Sequence, residues 1–156
     1  MSWSNYTYKQ PEYSERKPGK YRVIILKAEE KTSKKGNKMV EISLRPSGTA
    51  STVKAYIVDN DYFDDNYSRF LDAFPDIKNA DNNPEHCYTW RGAMGAINLK
   101  VNDNGYFEAG YFIPFEKQES LPEFVWKARD DEPQTMPEFQ GAVELEELED
   151  DESIPF

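Results

Sequence analysis

Residues 64–74 read DDNYSRFLDAF. The apolar members are Tyr67, Phe70, Leu71 and Phe74, spaced i, i+3, i+4, i+7, which puts them on one face of a helix. Asp64 or Asp65 is placed to cap its start, and Pro75 to stop it. The flanking stretches carry a different period. KMVEISLR (38–45) alternates, with Val40, Ile42 and Leu44 on one face and Met39, Glu41, Ser43 and Arg45 on the other. STVKAYIVD (51–59) alternates too, with Val53, Ala55 and Ile57 against Thr52, Lys54 and Tyr56. Upstream, GKYRVIILKAEEK (19–31) is β-rich and opens at a Pro-Gly turn signal, while SKKGN (33–37) and PSGTA (46–50) read as turns. Downstream, RGAMGAINLKV (91–101) and GYFEAGYFIP (105–114) flank Asn102-Asp103-Asn104-Gly105. This is a hairpin signal, because Asn and Gly tolerate the positive φ of tight turns.

The order is three strands, a helix, two strands. Three strands alone leave open edges, and a helix followed by a closing hairpin builds a five-stranded Greek-key barrel. The expected class is mainly β: an OB-fold barrel with one helix between strands 3 and 4, although other α+β folds fit the same string. Gly92, Gly95 and Gly110 inside strand patterns mark bends of a small barrel, or simple looseness in an ordinary sheet.

A chain of 156 residues buries one core, so one domain with tails is expected. Residues 1–18 lack a clear period and form an N-terminal arm, residues 19–127 form the barrel domain, and residues 128–156 form a disordered acidic tail. No apolar run approaches the ~18 residues of a membrane span, and MSWSNYTYKQ lacks the apolar core of a secretory signal, so a cytoplasmic protein is expected.

The net charge of −10 is concentrated in the tail. Residues 1–127 hold 18 basic and 18 acidic side chains, whereas residues 128–156 hold one basic and 11 acidic. Inside the body, Lys9 to Lys54 carries +7 and Ala55 to Lys127 carries −7. An acidic protein thus contains a basic half, and segment charge informs on partners better than the total.

Motifs for nucleotide hydrolysis, zinc proteolysis or serine hydrolysis are absent. Cys87 and His86, the single Cys and the single His, are too few for a zinc site and read as structural or surface residues. Asp59, Asp61, Asp64 and Asp65 cluster at the helix start, where they serve the helix terminus. An enzyme is not expected, nor is a cofactor.

Binding is better supported. OB-folds take oligonucleotides on the face of strands 2 and 3 and through the loops after strands 1 and 4. In this chain those regions carry Lys34, Lys35 and Lys38, then Arg45, Lys54 and Tyr56, then Lys100 and Tyr106. Cations follow phosphates and aromatic faces stack bases without reading sequence. The plain alternative is a solvated lysine turn and ordinary sheet tyrosines. Trp90 beside Arg91 reads as a stacking and phosphate pair or as a core plug. Phe107, Tyr111 and Ile113 share a strand face and are expected in the core. Trp3, Tyr6, Tyr8 and Tyr13 of the arm can stack on bases, pack on the barrel or join a second subunit.

The ending DDESIPF resembles the C-terminal tip of bacterial single-stranded DNA-binding proteins, an acidic run closed by Ile-Pro-Phe. That resemblance implies a partner-binding tip made of Asp150, Asp151, Glu152, Ile154, Pro155 and Phe156, docking into basic, apolar pockets on replication and repair enzymes. Ser153 interrupts the acidic run, a mild departure. The segment KPGKYRVIILKAEEKTSKKGNKMVEISLRP (17–46) looks more like single-stranded DNA-binding proteins of tailed-phage replication and recombination modules, and WRGAMGAINLKVNDNGYFEAGYFIP (90–114) is consistent with their last hairpin. The implied role is nonspecific coating of single-stranded DNA in the host cytoplasm, with enzymes recruited through the tip and self-association possible. A rival expectation is a protein-interaction module that sequesters host replication and repair enzymes. A second is an accessory to a metal-dependent nuclease, disfavoured by the missing carboxylate–His constellation.

Overall fold

The computed structural model describes residues 17–139; the remainder of the arm and residues 140–156 lie outside the described residues. Five strands, β1 (Gly19–Thr32), β2 (Lys38–Pro46), β3 (Val53–Val58), β4 (Met94–Val101) and β5 (Phe107–Phe112), form one sheet in the order β3-β2-β1-β4-β5. All hydrogen-bonded neighbours are antiparallel. Long β1 pairs with β2 through its second half and with β4 through its first, and β3 comes up against β5, so the sheet curls into a nearly closed barrel. Mainly β, with five strands and this order, the architecture is consistent with an OB-fold.

Helix α1 (Phe63–Ala73) fills the connection between β3 and β4, followed by the short α2 (Pro75–Lys78) and a 3₁₀ segment Pro84–Thr89. The 3.6 period is realised: Phe70, Ala73 and Phe74 are fully buried against the barrel end. Asp64 and Asp65 lie in the first turn, but Tyr62 holds the N-cap position and makes no side-chain cap. The carboxylates therefore complement the helix dipole rather than cap the chain. Phe74, restricted by the following Pro75, leaves the helical region at φ −122°, ψ 77°.

The inward faces of β1–β4 supply Val23, Ile25, Val40, Ile42, Leu44, Val53, Ala55, Ile57, Ile97 and Leu99 to one core. Each Val, Ile or Leu among them contributes roughly 1.5–3 kcal/mol on burial. An aromatic cluster seals the end beneath α1. Phe70 lies 5.0 Å from Trp90 and 5.4 Å from Phe112, centroid to centroid, and Tyr67 stacks on both Phe70 and Trp90.

Two bulges depart from strict alternation. In β1 the register jumps between Ile25 and Lys27, leaving Leu26 as the extra residue. In the β4–β5 ladder, Gly110 and Tyr111 together oppose Asn98. A Cβ on Gly110 would sit 2.5 Å from the Asn98 carbonyl oxygen, so only glycine permits this approach. The bulge reverses the alternation. Phe107 packs on the core and Ile113 is buried as expected, but Tyr111, expected inside with them, is exposed, and Phe112 takes the inward position.

After β5 the chain turns through Phe115–Lys117 and runs back as a strap, residues 118–139, over the outside of β1 and β2. The buried Gln118 amide donates to the carbonyls of Ala73 (2.9 Å) and Ile113 (2.7 Å), tying the start of the strap to the end of α1. The Arg22 guanidinium donates to the carbonyls of Gln118, Leu121 and Pro122. The Gly48 amide donates to the Val125 carbonyl (2.8 Å), and Arg129 Nε to the Ala50 carbonyl (2.7 Å). Composition reads 128–156 as disordered, yet residues 128–139 belong to this strap. They are held by the buried Arg45 on Glu132, by Arg129 on the Ala50 carbonyl and by the Trp126 indole on the Pro133 carbonyl, partners that composition does not register.

Near its far end the strap backbone lies directly on Gly92, which has φ +89°. A Cβ there would fall 2.3 Å from the Glu138 carbonyl carbon. Gly92→Ala is expected to destabilise the protein by about 2 kcal/mol or more, because backbone strain and strap displacement act together. The urea midpoint should fall accordingly; an unchanged midpoint would show that this contact contributes nothing. Among the described residues no helix is long and apolar enough to cross a membrane.

Candidate nucleic-acid interface

The outer faces of β1, β2 and β3 form a regular lattice because antiparallel register sets side chains in rows across the strands. One row holds Lys27, Ser43 and Lys54; the next holds Glu29, Glu41 and Tyr56; the third holds Lys31, Met39 and Val58. Tyr56 is half exposed at 51%. Glu41 is the pivot. Its Oε1 accepts from Lys54 Nζ and Lys31 Nζ, both at 3.1 Å, and Glu29 bonds Lys27 at 2.6 Å. The two lysine hydrogen bonds hold the Glu41 carboxyl below the ordinary range, and the bond from Lys27 does the same to Glu29. Glu41 likewise raises Lys31. Three lysines against two carboxylates leave a net positive face, with Tyr56 flanked by cations that Glu41 holds over the sheet.

Of the residues expected to bind, Lys54 and Tyr56 fall together on this face. Lys34 and Lys35 project from the β1–β2 turn, and Lys38 opens β2; all three are exposed and make no ion pair among the described residues. The turn that presents them is closed by Ser33, whose carbonyl accepts from Gly36 (2.9 Å) and whose hydroxyl accepts from Asn37 (3.0 Å). Lys100 is exposed on β4, and Tyr106 is exposed where the β4–β5 hairpin rejoins the sheet. Asn102 shapes that hairpin, its side-chain oxygen accepting from the amides of Asn104 and Tyr106.

Two expected contacts are removed by the fold. Arg45 does point outward, but the strap covers it and it is 0% exposed. Its Nη1 and Nη2 each reach a Glu132 carboxylate oxygen at 2.9 Å, Nε donates to the Ser51 carbonyl, Nη1 also donates to the Lys127 carbonyl, and the Trp126 ring lies 4.9 Å above it. Arg45 is a latch for the strap, not a phosphate contact. Trp90 is the core plug: it is fully buried, and its indole N–H finds no hydrogen-bond partner among the described residues. Its neighbour Arg91 is exposed, so the expected Trp90–Arg91 pair is split between core and surface.

Sequence reasoning missed Lys27, Lys31 and Glu41. The outward position of Glu41 was legible; its role as a shared partner of two lysines needed the register. The tip residues Asp150, Asp151, Glu152, Ile154, Pro155 and Phe156, and the arm aromatics Trp3, Tyr6, Tyr8 and Tyr13, lie outside the described residues.

Cys87 is buried, and burial pushes its thiol up, away from the thiolate that nucleophilic chemistry uses. His86 Nδ1 pairs with Asp81 at 2.7 Å on the surface. Among the described residues no group of three or more His, Cys, Asp or Glu side chains is arranged to hold a metal ion. No protein-family model matches the chain, and no curated protein matches its sequence significantly.

Proposed function

We propose that the barrel binds single-stranded DNA with little sequence preference, along the outer face of β2 and β3 between the β1–β2 turn and the β4–β5 hairpin. The observation that carries this reading is the half-exposed Tyr56 flanked by Lys54 and Lys31, with Lys34, Lys35 and Lys38 exposed beyond the same strands. A flat aromatic face among cations suits an unpaired base and its phosphates. The acidic ending DDESIPF supports a second activity, recruitment of replication, recombination and repair enzymes, as in the bacterial single-stranded DNA-binding proteins whose tip it resembles.

The deciding experiment is a binding titration with oligo-dT and with duplex DNA across a range of salt. The single strand is expected to bind more tightly, with a log–log salt slope of about −0.7 per phosphate neutralised. Equal affinity for duplex, or affinity indifferent to salt, would end this reading. If DNA binding fails while the tail still captures enzymes, the protein is an interaction module instead.

The tail has its own test. Phe156→Ala retains every acidic residue, and it is expected to abolish capture of those enzymes while leaving DNA affinity within about twofold, because the Phe ring is the apolar anchor of an otherwise acidic segment. Retained capture would show that the ending does not recruit.

A further inference from the structure

Between the strap and the outer sheet face lies a groove of about 560 Å³, lined among others by Lys27, Ser43, Thr52, Arg91, Trp126 and Met136. Resting on the reading of the barrel as a single-strand binder, we infer that this groove is a second nucleotide subsite, which takes the strand after it leaves Tyr56.

The register supplies the path. Ser43 is the cross-strand partner of Lys54 on one side and Lys27 on the other. The row that begins beside Tyr56 therefore runs directly into the groove. At its far side Arg91 is exposed and makes no ion pair among the described residues. Lys54, Lys27 and Arg91 thus succeed one another along one track, as a phosphate backbone requires.

The groove also offers apolar and aromatic surface. Trp126 is fixed in place, with its indole N–H donating to the Pro133 carbonyl at 3.1 Å and its ring covering Arg45. Met136 beside it is 41% exposed, an adaptable apolar surface of the kind that accepts flat ligands. The acid that lines the groove, Glu132, has both carboxylate oxygens engaged by Arg45 and one of them also by the Arg129 amide. Its charge is already matched, so a phosphate entering the groove meets the exposed Arg91 and competes with Glu29 for Lys27. The latch that removes Arg45 from the binding face thus builds the wall of this second site.

The test compares full-length proteins by fluorescence anisotropy on oligo-dT of about 5 and about 15 nucleotides, lengths that bracket the reach of one OB domain. Tyr56→Ala is expected to weaken both. Arg91→Ala is expected to weaken the long strand about fivefold, with a shallower salt slope, and to leave the short strand within about twofold. Arg91 is exposed, so its loss does not threaten the fold. As an independent reading, a 5-iodouracil at the end of the long strand is expected to cross-link within residues 126–136. If Arg91→Ala binds the long strand like wild type and the cross-link falls elsewhere, while Tyr56→Ala still weakens binding, the groove inference is overturned and the barrel's function stands. If wild type binds neither strand, both fall. If Arg91→Ala binds the long strand more tightly, the groove belongs to the acidic tail and the inference is wrong.

Discussion

Truncation of Glu132 to alanine is expected to cost the fold about 3 kcal/mol at neutral pH, the low end for orphaning a buried charge, since the carboxylate itself is 22% exposed. Arg45 would be left with the Ser51 and Lys127 carbonyls and the Trp126 ring as partners and no counter-charge. The melting temperature should fall by roughly 10 °C. The effect has a pH signature. The Arg45 guanidinium, followed in effect by the Arg129 amide, holds the Glu132 carboxyl below its ordinary value. A carboxyl depressed in the folded state stabilises above its unfolded pKa and loses that contribution as pH falls through the folded pKa. Wild type and variant should therefore differ fully at pH 7 and converge in acid, below about pH 4. Replacing both partners by apolar residues, Arg45→Met with Glu132→Leu, should recover most of the loss, because neither leaves a charge behind. Equal melting of wild type and Glu132→Ala at pH 7 would mean that the strap does not seal Arg45.

Tyr56→Ala is expected to weaken single-strand binding by about 1–3 kcal/mol, roughly 5- to 150-fold, the worth of one stacked base. Half its surface already faces water, so the melting temperature should stay within about 2 °C. Glu41→Gln makes the complementary prediction. It removes the carboxylate that holds Lys31 and Lys54, leaves both lysines in place, and should tighten binding with a steeper salt slope. If Tyr56→Ala binds like wild type, the base-stacking site lies elsewhere, most directly in the arm aromatics Trp3, Tyr6 and Tyr8.

Periodicity carried the strands and α1 because side chains of one period must share one face, and the core of Val40, Ile42, Leu44, Val53, Ala55, Ile57, Phe70 and Phe74 follows from that alone. Alternation correctly turned Arg45 outward. Outward is not exposed, however, when a segment some 87 residues further on lies across it. Ile24, the register partner of Arg45, is buried on that outer side for the same reason. Tyr111 was misread because a bulge at Gly110 shifts parity by one, and a lone glycine in a strand does not say whether it bends the chain or doubles a residue. Within the site, residue types identified the lysines and Tyr56. Which lysines are held by Glu41 depends on cross-strand neighbours 10 and 13 residues from it in sequence, and only the register decides that.

The latch also has a kinetic consequence. Arg45 meets Glu132 across a sequence separation of 87 residues, and Arg22 reaches Pro122 across 100. Closing such loops is worthwhile only once the strands between them stand in register, so the strap is expected to dock after the barrel's rate-limiting step. Contacts made that late stabilise the native state without helping to form it, and their free energy falls on the unfolding rate. Glu132→Ala should then speed unfolding in a stopped-flow chevron while leaving the folding limb unchanged: the strap is a brake on opening, setting how long a folded molecule lasts rather than how fast one is made.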